Sequence, residues 1–169
     1  MRPQDIIILL KLISSEGRGM SNKDMAQELQ ISASEFCESL ERCREAKLID
    51  NSKRFVNTLA LEEFLVHGIK YVFPITPQAK VRGIPTFITA PFLKDKIAQG
   101  SDCYVWKSSK GKIREEEVKP LYKTVPEAVL RDPKLYELLV LTDMFRMERV
   151  REVEIAKEEL SKKLAEYNA

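Results

Sequence analysis

Cysteine and histidine are scarce in this chain, which has three cysteines and one histidine among 169 residues. No two cysteines form a CxxC pair, and His67 has no second histidine with which to share a metal ion. An odd number of isolated cysteines argues against a disulfide framework, and the lack of paired soft ligands argues against a structural zinc site. We therefore expect no metal and no cofactor, and a protein of the reducing cytoplasm.

Long hydrophobic runs are missing as well. The longest, Ile6 to Leu10, is far shorter than the roughly 20 residues that cross a bilayer as a helix. It is also a poor secretory signal, because Arg2 is the sole positive flank and no small-residue cleavage site follows. The sequence therefore predicts no association with a membrane.

Signatures of common enzyme classes are absent: the sequence has no Walker A motif, no GxGxxG and no HExxH. His67 fits a structural histidine on an amphipathic helix, and Cys37 and Cys43 fit core or boundary positions. Cys103 is a candidate redox-sensing thiol because Lys107 follows closely, but nothing in the sequence shows a lowered pKa. We therefore expect that the protein is not an enzyme.

Hydrophobic periodicity predicts a mainly α protein with a small amount of β structure. Hydrophobic residues make up 44% of the chain and charged residues 32%, as in globular domains. Three segments are predicted: a winged helix-turn-helix domain, then Pro-rich loops with a basic hairpin, then carboxy-terminal helices. Their ranges are 1–70, 71–123 and 124–169. The predicted helices span 3–15, 22–29, 33–46, 59–69 and 134–167, the last with a kink near Met147.

Two short helices joined by a tight turn stand out in the first segment. Ser21 is a suitable N-cap for the first of them, and Ser32 with Glu35 forms a capping-box pattern that opens the second. Residues 48–56 then predict a short hairpin with a polar tip. Residues 24–50 resemble the winged helix-turn-helix of MarR-type bacterial transcription regulators; their sequence is DMAQELQISASEFCESLERCREAKLID.

Two later stretches, HGIKYVFP and PLYKTVPEAVLRDPKLYELL, resemble uncharacterised bacterial proteins that carry the same amino-terminal module. The resemblance implies a cytoplasmic transcription regulator that binds double-stranded DNA. In that arrangement the helix starting at Ser32 enters the major groove. The predicted DNA contacts in this part of the chain are Ser32, Ser34, Ser39, Arg42, Lys53 and Arg54.

The charge of that predicted recognition helix opposes DNA binding. Glu35, Glu38, Glu41 and Glu45 are spread along it, whereas proteins gain affinity for DNA by neutralising phosphates. A second hypothesis from another class therefore stays open. In it the winged helix is a partner-binding module, antitoxin-like or a scaffold, that contacts protein.

Positive charge is concentrated in the middle of the chain. Residues 76–114 carry eight Lys or Arg against two Asp or Glu. A hairpin predicted around residues 103–118 places cations beside Trp106, and these cations would attract phosphate without reading sequence. The alternative is a solvated hairpin with Trp106 in the core. The predicted phosphate contacts are Lys107, Lys110, Lys112 and Arg114.

The carboxy-terminal helix carries an apolar stripe at heptad spacing, broken by Lys157. We expect it to form a homodimer seam, because paired half-sites on DNA require two-fold symmetry. Packing against the chain's own body is the alternative. The predicted seam residues are Val150, Val153, Leu160 and Leu164.

Overall fold

The protein is mainly α with a small three-stranded sheet, as its periodicity predicts. The coordinates are a computed structural model that describes residues 1–97, 102–147 and 150–168. The helices are α1 (Pro3–Ser14), α2 (Asn22–Glu28), α3 (Ala33–Glu45), α4 (Thr58–Glu63), α5 (Ile69–Val72), α6 (Val125–Ala128), α7 (Pro133–Met147) and α8 (Val150–Asn168). The strands are β1 (Gln78–Thr86), β2 (Tyr104–Lys107) and β3 (Ile113–Glu117).

Helix α1 lies at the centre of the molecule. Pro3 occupies its first turn, where a missing N–H costs nothing, and residues 6–10 are fully buried. A run of apolar residues longer than one helical turn faces every side of the helix and must be covered on every side, and α1 packs against both α3 and α7. Among the described residues, no helix combines the length and apolarity needed to cross a membrane.

The helix–turn–helix segment forms where the caps predict it. The Ser21 hydroxyl accepts the Asp24 amide over 3.2 Å at the start of α2, and the Ser32 hydroxyl accepts the Glu35 amide over 3.1 Å at the start of α3. Gln30, in the turn between them, has a φ of 54°. The hairpin predicted at 48–56 is reduced to one antiparallel bridge between Ile49 and Val56.

The helix predicted at 59–69 is interrupted. Asn57 provides its cap by accepting the Ala60 amide over 3.2 Å, and α4 gives way to a π-helical turn at Phe64–Gly68 before α5 begins. At Gly68 a Cβ would lie 3.1 Å from the Phe64 ring, so the widened turn leaves little room for a side chain.

The predicted basic hairpin is wrong, because β2 and β3 do not pair as neighbours in an antiparallel ladder. Both pair antiparallel with β1, and they are parallel to each other, so that the three strands close a small barrel. Along β1, residues 83–86 pair with β2, and residues 78–83 pair with β3. Strand β1, with which β2 and β3 both pair, lies in the Pro-rich region predicted to be loops.

Two glycines allow the connection from β2 to β3 to cross β1. A Cβ on Gly111 would lie 2.1 Å from the carbonyl oxygen of Gly83, and a Cβ on Gly83 would lie 2.2 Å from the carbonyl oxygen of Trp106. No side chain fits at either position, so the crossing depends on close backbone approach.

The barrel is fastened to α7 through buried Asp143. The indole Nε1 of Trp106 donates to Asp143 over 2.7 Å, and the Thr86 hydroxyl donates to it over 3.0 Å. The Arg146 guanidinium donates to the same carboxylate over 2.7 Å. Trp106 is 1% exposed, so it is a core residue and not a stacking platform for bases.

Helix α8 covers its apolar stripe with its own chain. Leu160 is fully buried and Leu164 is 2% exposed, and α8 packs against α7 and α4. Leu160 and Leu164 are therefore not available for the predicted seam with a second copy. Val153 is half-buried and packs on the same core, and the side chain of Val150 lies outside the described part of the chain.

The end of α8 also contacts the segment predicted as the wing, residues 48–56, and the start of α4. The Val56 amide donates to the Tyr167 hydroxyl over 3.0 Å, and the Asn168 side chain donates to Thr58 over 2.9 Å. Buried hydrophobic residues from all three predicted segments form one cluster. The amino-terminal head (residues 1–70), the barrel (β1–β3) and the carboxy-terminal helices thus share a core.

Candidate nucleic-acid interface

The first turns of α3 present small side chains to solvent. Ser32, Ser34 and Cys37 are exposed, and the Ser34 hydroxyl donates to Glu38 over 3.3 Å. The Ser32 oxygen accepts the Glu35 amide but still has a hydroxyl proton to donate. This end of α3 therefore presents accessible hydroxyl groups to solvent.

Ser39 and Arg42 do not belong to that accessible surface. The Ser39 side chain is fully buried and donates to Asp5 of α1. The Arg42 side chain is 22% exposed and contacts Asp5 Oδ1 at 2.8 Å and Glu35 Oε1 at 2.6 Å. This placement corrects the assignment of Ser39 and Arg42 to DNA: both fasten α3 to α1.

Asp5 is the partner that the sequence reasoning missed. Burial would raise the pKa of Asp5, but hydrogen bonds from Arg42, Ser39 and the Arg2 amide outweigh it and hold the pKa below the ordinary value of 3.8. The pKa of Arg42 is raised, chiefly by its hydrogen bonds to Asp5. The sequence does contain a signal for this contact. Asp5 is the sole carboxylate in α1 and directly precedes its apolar run, and a buried charge needs a partner.

The tip of the predicted wing has one exposed cation, Arg54, and one cation that is already ion-paired, Lys53. Lys53 is ion-paired with Glu41 of α3, whereas Arg54 is exposed and makes no ion pair within the described residues. Hydrogen bonds from Ser52 and from the Phe55 and Arg54 amides hold the pKa of Asp50 below its ordinary range, and they shape the turn that presents Arg54.

An open groove of about 1010 Å³ runs beside this tip. One wall is the loop between α1 and α2, which includes Met20, together with Lys23 of α2. The other wall is the wing, including Arg54 and Phe55. Phe55 is 63% exposed. The groove thus combines positive charge with apolar surface.

The cations of the barrel separate into two groups. Lys110 is ion-paired with Glu127 at 2.6 Å, and Lys80 is ion-paired with Glu115 at 3.1 Å. The other group is exposed and makes no ion pair within the described residues: Arg82, Lys107, Lys112 and Arg114. Arg82 was not among the predicted contacts. The charge excess of residues 76–114 pointed to it, but its position opposite Arg114 depends on β1.

The remaining candidate chemical groups do not converge. Burial raises the pKa of the Cys43 thiol to about 12, which makes it a poor nucleophile, while Cys37 is exposed and Cys103 is half-buried. His67 is exposed on the π-helical turn. Within residues 1–97, 102–147 and 150–168, no group of three or more His, Cys, Asp or Glu side chains is arranged to hold a metal ion.

Comparison of the chain with models of protein families, with curated proteins and with solved structures finds no match.

Proposed function

We propose that the protein is a DNA-binding transcription regulator whose amino-terminal head binds double-stranded DNA in the manner of a winged helix. The observation that carries the proposal is the accessible amino-terminal end of α3, capped by Ser32, in a helix-turn-helix segment followed by a turn that presents Arg54. The MarR-type resemblance of residues 24–50 supports the same assignment. In helix-turn-helix proteins it is this end of the second helix that contacts base edges.

Some of the accessible side chains are suited to contact bases, and others are suited to contact the phosphate backbone. Ser34 is small enough for the helix to approach the groove floor, and its hydroxyl both donates and accepts. Arg54 and Lys23 supply positive charge beside the helix for phosphate contacts. The exposed Glu45 at the carboxy-terminal end of α3 repels phosphate, so α3 must approach DNA by its amino-terminal end and not along its whole length.

Arg54→Ala should weaken DNA binding by a similar factor on every duplex and reduce the salt slope by about 0.9, because it removes one phosphate contact. Ser34→Ala should weaken binding more on the cognate site than on a shuffled duplex if Ser34 reads a base. Fluorescence anisotropy with the DNA upstream of the protein's own reading frame, and with its shuffled form, measures both effects.

Arg44→Ala is the matched control, because Arg44 lies on α3 but is bound to Glu41 at 2.8 Å. It should leave both titrations unchanged. Wild-type protein that binds neither duplex at low salt would end the DNA proposal, and the partner-binding hypothesis would replace it.

The partner-binding alternative has observations of its own in the head. Glu38 and Glu45 give the exposed side of α3 a negative charge. Phe55 and Leu59 are 63% and 79% exposed, and large exposed apolar side chains are typical of protein interfaces. A basic protein partner fits this combination better than DNA does.

A homodimer also remains a proposal, because paired half-sites require two copies of the head. Its interface must lie away from Leu160 and Leu164, which the chain itself buries. Light scattering at tens of micromolar should give twice the chain mass of 19.5 kDa. A mass of one chain would exclude a stable dimer while leaving DNA binding by the single head testable.

A further inference from the structure

We propose that the outer face of the barrel holds a backbone phosphate between Arg82 and Arg114, as a second contact with DNA that reads no sequence. The two residues are direct cross-strand partners of β1 and β3. Cross-strand partners in an antiparallel pair project from the same face of the sheet with Cβ atoms about 5 Å apart, so the two arginine side chains leave the sheet side by side. Both side chains are exposed.

Like charges placed directly opposite each other destabilise a sheet unless an anion lies between them. The neighbouring partners on the same two strands, Lys80 and Glu116, are opposite in charge, and Lys80 is ion-paired with Glu115 of β3 at 3.1 Å. Neither Arg82 nor Arg114 makes an ion pair with a described carboxylate, whereas Lys80 and Lys110 are both neutralised within the chain. The arginine pair is thus two like charges side by side that no ion pair in the described part of the fold neutralises.

The chemistry of the pair selects phosphate. A guanidinium presents its donors in a planar fork that binds two oxygens of one phosphate group, and two such forks a strand spacing apart converge on a single group. The exposed Lys107 and Lys112, close to the pair in sequence, add positive charge to the barrel. Trp106 is buried, so no aromatic platform is available there for unpaired bases, and the duplex backbone is the favoured occupant.

This inference rests on the proposed DNA binding, and the experiment separates the two. The double variant Arg82→Ala/Arg114→Ala should weaken binding to a shuffled duplex about tenfold at 0.1 M salt and reduce the salt slope by about 0.9. The matched control is Lys80→Ala/Lys110→Ala, which removes the same charge from cations that are already paired. The control should shift the slope less. Arg82→Lys/Arg114→Lys should retain part of the affinity, because it keeps the charge without the fork.

Trp106 fluorescence confirms that the barrel of each variant is folded, since Trp106 is the sole tryptophan and lies on β2. Equal slopes for the arginine variant and the lysine control would overturn the inference, because net charge alone would then explain the binding. If the arginine variant binds like wild type while Arg54→Ala weakens binding, the head proposal stands and the barrel contact is refuted. If wild-type protein binds no duplex, both fail together.

Discussion

Replacing Arg146 with alanine should lower the free energy of unfolding by about 3–5 kcal/mol. Arg146 and Asp143 form a buried ion pair whose side chains are 5% and 2% exposed. The Arg146 guanidinium also donates to the carbonyl oxygen of Phe73 over 2.7 Å. Truncation would leave the Asp143 carboxylate, the group that fastens the barrel to α7, buried without its cation. An uncompensated buried charge costs much more than a lost surface contact.

Urea denaturation followed by Trp106 fluorescence measures this loss, because the indole donates to the same carboxylate. Lys134→Ala is the control on α7: its side chain is exposed, and the change should stay within about 0.5 kcal/mol. Arg146→Lys keeps the charge and should fall between the two. A loss for Arg146→Ala that does not exceed that of Lys134→Ala would contradict the role assigned to the pair.

The helices of the head were predictable because their signals are local. Ser21 and Ser32 each accept an amide three residues ahead, and a cap of this kind can be read from a window of four residues. The apolar face of α3 follows from the 3.6-residue period in the same way, with Phe36 and Leu40 in the core. The interruption at Phe64–Gly68 was not predictable, since a π-helical turn leaves no such period.

The barrel was mispredicted because its partners lie far apart in sequence. β1 carries a proline at Pro85, and a proline argues against a central strand since it cannot donate to a ladder. Pro85 lies in the part of β1 that pairs with β2, beyond the residues that pair with β3. The short separation of β2 and β3 favoured a hairpin between them, whereas both ladders are formed with a strand at least 18 residues upstream of β2.

The candidate site shows the same limit for side chains. Exposure of Ser34 and Arg54 could be predicted from helical phase and from the polar turn, and both are exposed. The prediction that Ser39 and Arg42 face DNA is wrong because no local pattern shows that α1 packs beside α3. Asp5, 34 residues before Ser39, turns both of them inward. Whether an arginine or lysine is ion-paired or available to DNA depends on carboxylates that lie far away in sequence, and no local sequence pattern predicts those pairs.

Arg42→Ala should lower the free energy of unfolding by about 3 kcal/mol at neutral pH and leave the DNA affinity of the folded protein unchanged. The stability loss follows from Asp5, which is fully buried and would lose the cation that contacts its carboxylate at 2.8 Å. The affinity is unchanged because Arg42 is directed toward α1 and Glu35, not toward the accessible end of α3. Urea denaturation and duplex titration of the same preparation measure the two quantities.

The pH dependence reports the two carboxylates that Arg42 contacts, because its hydrogen bonds help to lower the pKa of both Asp5 and Glu35. The pKa of Asp5 in the folded protein lies below its ordinary value of 3.8, so the interaction stabilises the fold above that pH and is lost as the pH falls through the folded pKa. Without the guanidinium, the effect of burial raises the pKa of Asp5 in the variant. The stability difference between wild type and Arg42→Ala should therefore be greatest near neutral pH, and it should shrink as the pH falls through the raised pKa of the variant toward the lowered pKa of the wild type.

Arg44→Ala again provides the control, because the Arg44 side chain is 39% exposed and its pair with Glu41 lies at the surface. Such a pair contributes about 0–1 kcal/mol, so this variant should stay close to wild type at every pH. Arg42→Ala should not weaken DNA binding if this account holds. If the folded variant does bind DNA more weakly while Arg44→Ala binds normally, then the Arg42 guanidinium contacts DNA instead of Asp5. A stability difference that stays constant from pH 7 to pH 3 would show instead that neither Asp5 nor Glu35 depends on Arg42.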